Sequence, residues 1–460
     1  MARGFPLTRN YSAKIVSDDV RVTRSELHGE KWHQQSLWSI TTFFLSGLVV
    51  LSTSFDYIWL GPFPSWLAVV IVGLPFGLLF FSKHRLSTVE SFRAIATKIL
   101  VPAILFMLMA LIIDVGRGSF ATAFSKRFLL NGSVLLALLA ATSWAMHVAR
   151  SFIMHLLALI VLVQGMFCIA QFLGSTEAWD FASKLANAYG KVDQDEMTNA
   201  TFALIQRAKG TSLYIHKFTP MQGIIVTFLL TAGIMNFQQK NPLKLRMYFM
   251  LPAVTIGLVG MILTFSRSVI LGLVISLTLL VLSQRNFKVL FAILIMGGSL
   301  VLAESYVNIG SGKEFSRLTD VSMSRTTNAS RKEHLKYTLE SFSTSPIFGT
   351  SAVGTGNTLV HSVPLRILVE YGLMGLIPYI LTFVGIFRFF RSEQKLNYDI
   401  PQVTILTKAS IYALIVGLVD SSTHSSGFLI RDITQGILFG LFAGMVKQSQ
   451  FSLSQQGALI

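Results

Sequence analysis

The chain has 460 residues, of which 52% are hydrophobic and only 13% are charged, and its net charge is +16. A soluble domain carries about a quarter charged residues, so the composition excludes an ordinary soluble protein and indicates an integral membrane protein. The single cysteine, Cys168, excludes a disulfide within the chain and a cysteine-based metal site. The positive charge does not indicate a nucleic-acid partner, because about half of the Lys and Arg residues fall in loops that the predicted topology places in the cytoplasm.

Residues 1–36 are polar and basic and have no apolar core, which excludes a signal peptide at this end. They predict a cytoplasmic N-terminal tail whose role is mainly to orient the chain. Twelve apolar segments follow, each near the roughly 20 residues that a helix needs to cross a bilayer core about 30 Å thick. They lie near residues 37–55, 64–81, 99–115, 128–147, 151–173, 216–236, 246–265, 268–284, 287–303, 365–387, 403–423 and 428–446.

This pattern predicts an all-α, polytopic integral membrane helix bundle with about twelve transmembrane helices. The membrane domain would span residues 37–446 and be followed by a cytoplasmic C-terminal tail, residues 447–460. Lys and Arg accumulate in every second loop, which the positive-inside rule assigns to the cytoplasm. Those loops carry Lys83, Arg85, Arg93, Arg150, Lys240, Lys244, Arg246, Arg285, Lys288, Arg388, Arg391 and Lys395.

Two long polar segments fall on the outer side in this topology, about residues 174–215 and 304–364. Long loops on a helix bundle usually carry function. In the second loop, between helices 9 and 10, Leu335, Leu339 and Phe342 recur at helical spacing. The loop is therefore expected to be partly helical and to lie on the outer membrane surface.

Arg207, Arg267 and His361 all fall on the outer face of the predicted bundle. A guanidinium group is always charged and its planar fork suits phosphate oxygens. An interfacial arginine that only reaches the lipid headgroups is the alternative. Ser266 and Ser268 flank Arg267 and indicate a polar pocket around it.

A neutral imidazole is the usual general base near neutral pH, so His361 is a candidate for that role. His216 and His424 also fall on the outer side and are rivals. No pair of histidines has metal-ligand spacing, and no metal or cofactor is expected. Asp420 lies with His424 near the outer end of the last two segments and could support the site.

Three motifs resemble the bacterial O-antigen ligase and O-antigen polymerase superfamily, over roughly residues 200–390. Ser266-Arg267 at the start of an apolar helix resembles the family's Ser-Arg-small motif. Residues 331–349 resemble an amphipathic segment that ends in a Pro-hydrophobic-hydrophobic-Gly turn. His361-Ser362, nine residues and Gly372-Leu373-Met374-Gly375 fit the family's His-Asn/Ser and Gly-x-x-Gly pattern, with Glu370 where an acidic residue is common. The family's arginine before the middle helix is matched more loosely by Arg207 with Gly210.

The resemblance implies glycosyl transfer at the outer face of the bacterial cytoplasmic (inner) membrane, with the active site facing the periplasm. The donor would be a glycan on undecaprenyl diphosphate, and the acceptor lipid A-core or another glycan. By analogy, Arg207 and Arg267 would bind the diphosphate and His361 would deprotonate the acceptor hydroxyl. Further substrate-binding candidates are Lys209, Ser266, Ser362, Arg366, Glu370 and Asp420. Membrane lipids are the other expected partners.

The motifs do not decide between a ligase and a polymerase of the same superfamily, and the complete His361 motif favours the ligase slightly. A solute transporter with an outer anion site is a further alternative. The lack of charges deep within the apolar segments argues against ion-coupled transport. A glycosyltransferase with a catalytic acid in its first outer loop would use Asp56, which has no paired acid beside it.

Overall fold

The structure is a computed structural model. It describes residues 59–60, 63–64, 93–118, 129–188, 208, 210, 215–243, 245–264, 266–284, 326–350, 362–423 and 432–457. All of these belong to one compact unit, Leu45–Ile460. The N-terminal tail and the predicted segments near residues 37–55 and 287–303 lie outside the described residues, as does the segment near 64–81 apart from Pro64.

The described ranges are almost entirely helical. A π-helical turn, Ala96–Leu100, leads into the first α-helix. In chain order the α-helices are α1 Val101–Gly116, α2 Leu129–His147, α3 Arg150–Phe172, α4 Thr176–Ala188, α5 Ile215–Gln238, α6 Met247–Ile262, α7 Arg267–Gln284, α8 Thr326–Thr344, α9 Val363–Leu396, α10 Pro401–Ser421 and α11 Ile433–Gly457. Two short strands, β1 Trp59–Leu60 and β2 Phe63–Pro64, pair antiparallel, with Trp59 opposite Pro64.

Six helices of the described part are long and apolar enough to cross a membrane: Arg93–Gly116, Arg150–Phe172, Phe218–Gln238, Arg267–Gln284, Val363–Leu396 and Pro401–Ser421. Two shorter apolar helices, Asn131–Met146 and Tyr248–Ile262, coincide with further predicted segments. The predicted helical membrane protein is therefore confirmed. The number of twelve transmembrane helices and the sidedness of the loops stay predictions, because three predicted segments lie outside the described residues.

Helix α5 lies at the centre of the described bundle. Of its most apolar 18 residues 89% are buried, against 39% in the helix that contains α1. It packs against α3, α6, α7, α10 and α11. The outer helices instead expose large apolar side chains on one face, such as Ile112 on α1 and Leu271 on α7. Such one-sided exposure is what lipid-facing helices require.

Close packing of α2 against α11 depends on three glycines spaced four residues apart. A Cβ atom at Gly436 would lie 2.7 Å from the Val134 carbonyl oxygen, and one at Gly444 would lie 2.5 Å from the Thr142 carbonyl oxygen. A Cβ at Gly440 would meet the backbone of α2 as well. Small residues at this spacing let two membrane helices approach closely.

Two helices extend beyond the apolar segments from which they were predicted. Helix α9 continues to Leu396, so Arg391 and Lys395, which the sequence placed in a loop, are helical. Helix α11 continues to Gly457 through the predicted C-terminal tail. Hydropathy marks where a helix leaves the bilayer, whereas the helix itself continues while its backbone and packing allow.

The extended ends of α9 and α11 are joined by a buried ion pair. Lys447 Nζ lies 2.8 Å from Glu393 Oε2, and both side chains are less than one-tenth exposed. The Gln450 amide also donates a hydrogen bond to Glu393 Oε2. The Lys447 ammonium further lies 5.6 Å from the centre of the Phe389 ring.

Helices also occur within both predicted outer loops. Helix α4 and helix α8 lie in the segments 174–215 and 304–364, respectively. Helix α8 packs against α9 and buries Thr338, while Leu335 and Leu339 are exposed. The segment assigned to the second loop thus contains a helix, whereas the assignment of this segment to an outer loop and its position on the membrane surface stay predictions.

Candidate functional site

A buried polar cluster surrounds the start of α7. The Ser268 hydroxyl donates a hydrogen bond of 2.9 Å to Asp420 Oδ1 at the end of α10. The Ser266 and Ser268 hydroxyl oxygens lie 3.3 Å apart. All three side chains are buried, and Arg267, the first residue of α7, is half-buried between the two serines. The structure thus places Asp420, which the sequence proposed separately, beside the serines that flank Arg267.

The starts of α5 and α7 and the end of α10 lie at the same end of the bundle. Gly223 on α5 marks their contact, because a Cβ atom there would meet the Val269 side chain of α7 and would lie 3.2 Å from Val416 Cγ1 of α10. The glycine therefore allows three helices to converge close to the buried polar cluster. This convergence places the start of α7, and with it Arg267, beside α5 and α10.

The segment before α5 is anchored by a buried glutamine near the end of α3. Gln171 Nε2 donates to the Gly210 carbonyl oxygen at 2.8 Å, and Gln171 Oε1 accepts from the Gly210 amide at 3.0 Å. Ala208 is fully buried beside it. Arg207 and Lys209 themselves lie outside the described residues. The sequence analysis missed Gln171, whose partners are backbone atoms and leave no sequence signature.

The start of α9 carries three more predicted residues. Arg366 Nε lies 2.7 Å from Glu370 Oε1 in an ion pair whose side chains are 14% and 5% exposed, respectively. The Arg366 amide donates to the Ser362 carbonyl oxygen at 2.8 Å as the helix begins. The expected substrate-binding residues Arg366 and Glu370 therefore bind each other. His361 directly precedes this unit and lies outside the described residues.

The two glycine motifs that the sequence singled out form one structural unit. Gly372 interrupts α9 with φ 60° and ψ −154°, a conformation that favours glycine. The amides that follow it, at Leu373 and Met374, donate to the carbonyl oxygens of Pro346 and Ile347 at 2.9 and 3.1 Å. The turn of residues 346–349, here called the Pro346–Gly349 turn, thus replaces the helical partners that the kink removes.

Arg117, just beyond the end of α1, holds this turn against α9. Its guanidinium donates to the carbonyl oxygens of Glu370 at 2.8 Å, Phe348 at 2.8 Å and Gly349 at 2.7 Å. The Tyr371 hydroxyl donates to Asp114 Oδ2 at 3.3 Å, which joins α1 and α9 a second time. The sequence analysis missed Arg117, although its spacing of three from Asp114 at a helix end was visible.

A groove of about 340 Å³ lies between α9 and α10. Pro364, near the start of α9, and Ser421 and Ser422, at the end of α10, line the same end of it. Ser421 adjoins Asp420, so Ser362 at the start of α9 and Asp420 at the end of α10 lie at neighbouring helix ends. The rest of the groove is lined mainly by apolar side chains.

Within the described ranges, no group of three or more His, Cys, Asp or Glu side chains is placed to hold a metal ion. The imidazoles of His216 and His424, the rivals of His361, lie outside what the structure describes. Arg117, Arg267 and Arg366 are described cations at the starts of α7 and α9 and the end of α1.

No curated protein matches the chain at a significant level. A protein-family model described as O-antigen ligase matches residues 252–380. That segment contains Ser266-Arg267, the Pro346–Gly349 turn and the kink at Gly372, whereas Arg117, Gln171 and Asp420 lie outside it. The match confirms the resemblance predicted from the motifs and assigns residues 252–380 of this chain to the O-antigen ligase superfamily.

Proposed function

We propose that the protein is a glycosyltransferase that moves a glycan from undecaprenyl diphosphate to an acceptor at the periplasmic face of the bacterial inner membrane. The observation that carries this proposal is the buried hydrogen bond from Ser268 to Asp420, directly beside Arg267 at the start of α7. Arg267 and Ser268 lie inside the segment that matches the O-antigen ligase family. A cation set among fixed hydrogen-bonding groups at the end of a membrane helix is suited to an anionic lipid head.

Arg267 and Arg207 bind the donor diphosphate in this proposal. The leaving diphosphate gains negative charge as the bond between the sugar C1 and the phosphate oxygen breaks. Fixed cations beside it therefore stabilise the transition state more than the ground state. The Ser268–Asp420 hydrogen bond and the contact at Gly223 support this role, because they hold the start of α7 rigidly. Lys209 and Ser266 complete the donor side.

His361 acts as the general base that removes the acceptor proton. Its position directly before Ser362 and the Arg366–Glu370 ion pair supports this role, since a base must be oriented to within hydrogen-bond reach of the reacting hydroxyl. Attack from the face opposite the diphosphate gives inversion at C1. Two arginines supply the positive charge that a metal ion would otherwise provide, so the reaction proceeds without a metal.

The acceptor distinguishes two forms of this proposal. Transfer to lipid A-core defines a ligase, and transfer to another lipid-linked repeat unit defines a polymerase. The complete His361-Ser362 motif favours the ligase. A solute transporter is the less favoured alternative, and it would not require a general base.

The test is transfer in vitro from undecaprenyl-diphosphate glycan, with lipid A-core and a lipid-linked repeat unit offered in parallel. His361→Ala should lower turnover by about 10²- to 10⁴-fold while donor binding is kept. Arg267→Lys should fail because an ammonium lacks the bidentate fork, and Arg207→Ala should weaken both donor binding and turnover. Arg246→Lys, an exposed arginine at the other end of the bundle, is the matched control.

Product identity separates the two forms: glycosylated lipid A-core without chain growth supports the ligase, and chain growth alone supports the polymerase. A His361→Ala protein that is fully active in both assays would refute the proposed base and favour the transporter.

A further inference from the structure

The groove between α9 and α10 opens toward the bilayer. Ile380 and Phe387 line it and are 49% and 44% exposed. On α10 it runs from Ile411 to Ser422, which corresponds to about 16 Å at 1.5 Å per helical residue. That length is close to half of a hydrocarbon core about 30 Å thick, the depth that the acyl chains of one leaflet fill.

Two cations follow the lining residues at one end of the groove. Arg391 comes four residues after Phe387 on α9, and Lys408 comes three residues before Ile411 on α10. Residues three or four apart lie on the same helix face, so both cations lie one turn beyond the apolar lining. Phe387 and Ile411 line the same groove between the packed helices α9 and α10, so both cations flank the same end of it. The serine-lined end of the groove is at the opposite end, beside Asp420.

No acidic side chain in the described ranges compensates this pair. Neither Arg391 nor Lys408 forms a salt bridge or a hydrogen bond with any described residue. The nearest carboxylate in sequence, Glu393, is bound to Lys447. Asp399, on the connection between α9 and α10, is exposed and forms no ion pair within the same ranges.

The neighbouring polar groups on α7 and α10 are already engaged. The Tyr412 hydroxyl and the Ser283 hydroxyl lie 2.8 Å apart, so they satisfy each other. Lys408 is half-buried in a membrane helix, where a charge without a partner is costly. An anion at this position would lower that cost, and the apolar groove beside it requires that the anion carry a hydrocarbon chain.

We propose that this groove is a binding site for an anionic glycerophospholipid, with the phosphate between Arg391 and Lys408 and an acyl chain along the groove. Arg388 and Lys395 on the same end of α9 place the site on the cytoplasmic side by the positive-inside rule. Basic sites between helices on that side suit phosphate headgroups. The proposal does not depend on the function proposed above.

The test uses the full chain in detergent, titrated with dioleoyl phosphatidylglycerol and followed by native mass spectrometry. Dioleoyl phosphatidylcholine, which has the same chains and no net charge, is the ligand control. We expect phosphatidylglycerol to bind at least about tenfold more tightly, and Arg391→Gln with Lys408→Gln to weaken it by about 5- to 30-fold. A separate control variant carries Lys240→Gln and Arg246→Gln, which remove two exposed cations between α5 and α6. It should bind phosphatidylglycerol like the parent.

A second variant tests the groove itself. Ile415→Phe should reduce binding of phosphatidylglycerol with both cations still present, because the larger ring occupies the acyl path. Both variants should still unfold cooperatively in lipid-free detergent, and the variant without the two charges should be no less stable than the parent, since the removed charges have no described partners.

Three outcomes would overturn the proposal. Unchanged phosphatidylglycerol binding in the double variant Arg391→Gln and Lys408→Gln would show that these cations do not hold the phosphate. Equal competition by glycerol phosphate, which lacks acyl chains, would show a site for soluble anions. Preference for a polyprenyl phosphate over phosphatidylglycerol would assign the groove to a different lipid.

Discussion

Replacing Arg117 with methionine should release the Pro346–Gly349 turn from α9 while the membrane bundle stays folded. The change removes three hydrogen bonds of 2.7 to 2.8 Å that a charged group donates to backbone carbonyls. Bonds of this kind contribute about 1.5–3 kcal/mol each. Arg117 is 23% exposed, and the freed carbonyl of the exposed Phe348 gains water. We therefore expect a loss below the lower limit of the sum, which is about 4.5 kcal/mol, and take about 3 kcal/mol.

Hydrogen exchange measured by mass spectrometry tests this effect locally. The amides of Leu373 and Met374 donate to the turn, and their protection should fall about 100-fold for a loss of roughly 3 kcal/mol. Arg117→Lys should lie between methionine and the parent, because one ammonium cannot reproduce the planar fork. Arg93→Met, at the other end of the same continuous helix, is the control. Protection at residues 373–374 that stays within about twofold of the parent in Arg117→Met would refute the clamp.

Three further changes test other parts of the structure. Gly440→Ala should destabilise the protein by about 1–3 kcal/mol, because the added Cβ would meet the backbone of α2. Gly233→Ala should stabilise it by up to about 1 kcal/mol, because an added Cβ there meets nothing within 4 Å. Thermal unfolding in detergent compares the two variants. Glu393→Gln and Lys447→Met should each cost about 3–5 kcal/mol in denaturant unfolding, and the double variant should be more stable than either single one. A hydrogen bond to its own backbone amide holds the pKa of Glu177 below its usual value. Its contribution to the stability of α4 should therefore be present above about pH 4.3 and be lost as the pH falls further. Hydrogen exchange of α4 should show this pH dependence in the parent and lack it in Glu177→Gln.

The apolar segments predicted most of the described helices, because a span of the bilayer needs a run of apolar residues that is visible in sequence. The ends of the helices were less accessible. Arg391 and Lys395 continue α9, and Lys447 continues α11 as a buried partner of Glu393. Hydropathy assigns charged residues to loops and carries no information about which of them find an opposite charge on another helix.

In the candidate site, too, the sequence indicated some of the residues, and only the structure shows the groups to which they bind. The serines around Arg267 indicated a polar pocket, and the structure provides Asp420 as the group that completes it. Arg117 and Gln171 were missed because each binds backbone carbonyls or amides of distant residues. Any residue type offers such partners, so only the folded chain shows which ones are used.

The kink at Gly372 also has a consequence for how the chain is made. The amides beyond it are paired with carbonyls of the Pro346–Gly349 turn, which precedes them in the chain. An amide without a partner in the bilayer costs several kcal/mol. Because synthesis runs from the N-terminus, the turn leaves the ribosome before α9 and its carbonyls are available when that helix enters the membrane. The order of the two motifs along the polypeptide thus allows an irregular helix to be inserted without exposing its unpaired donors to lipid.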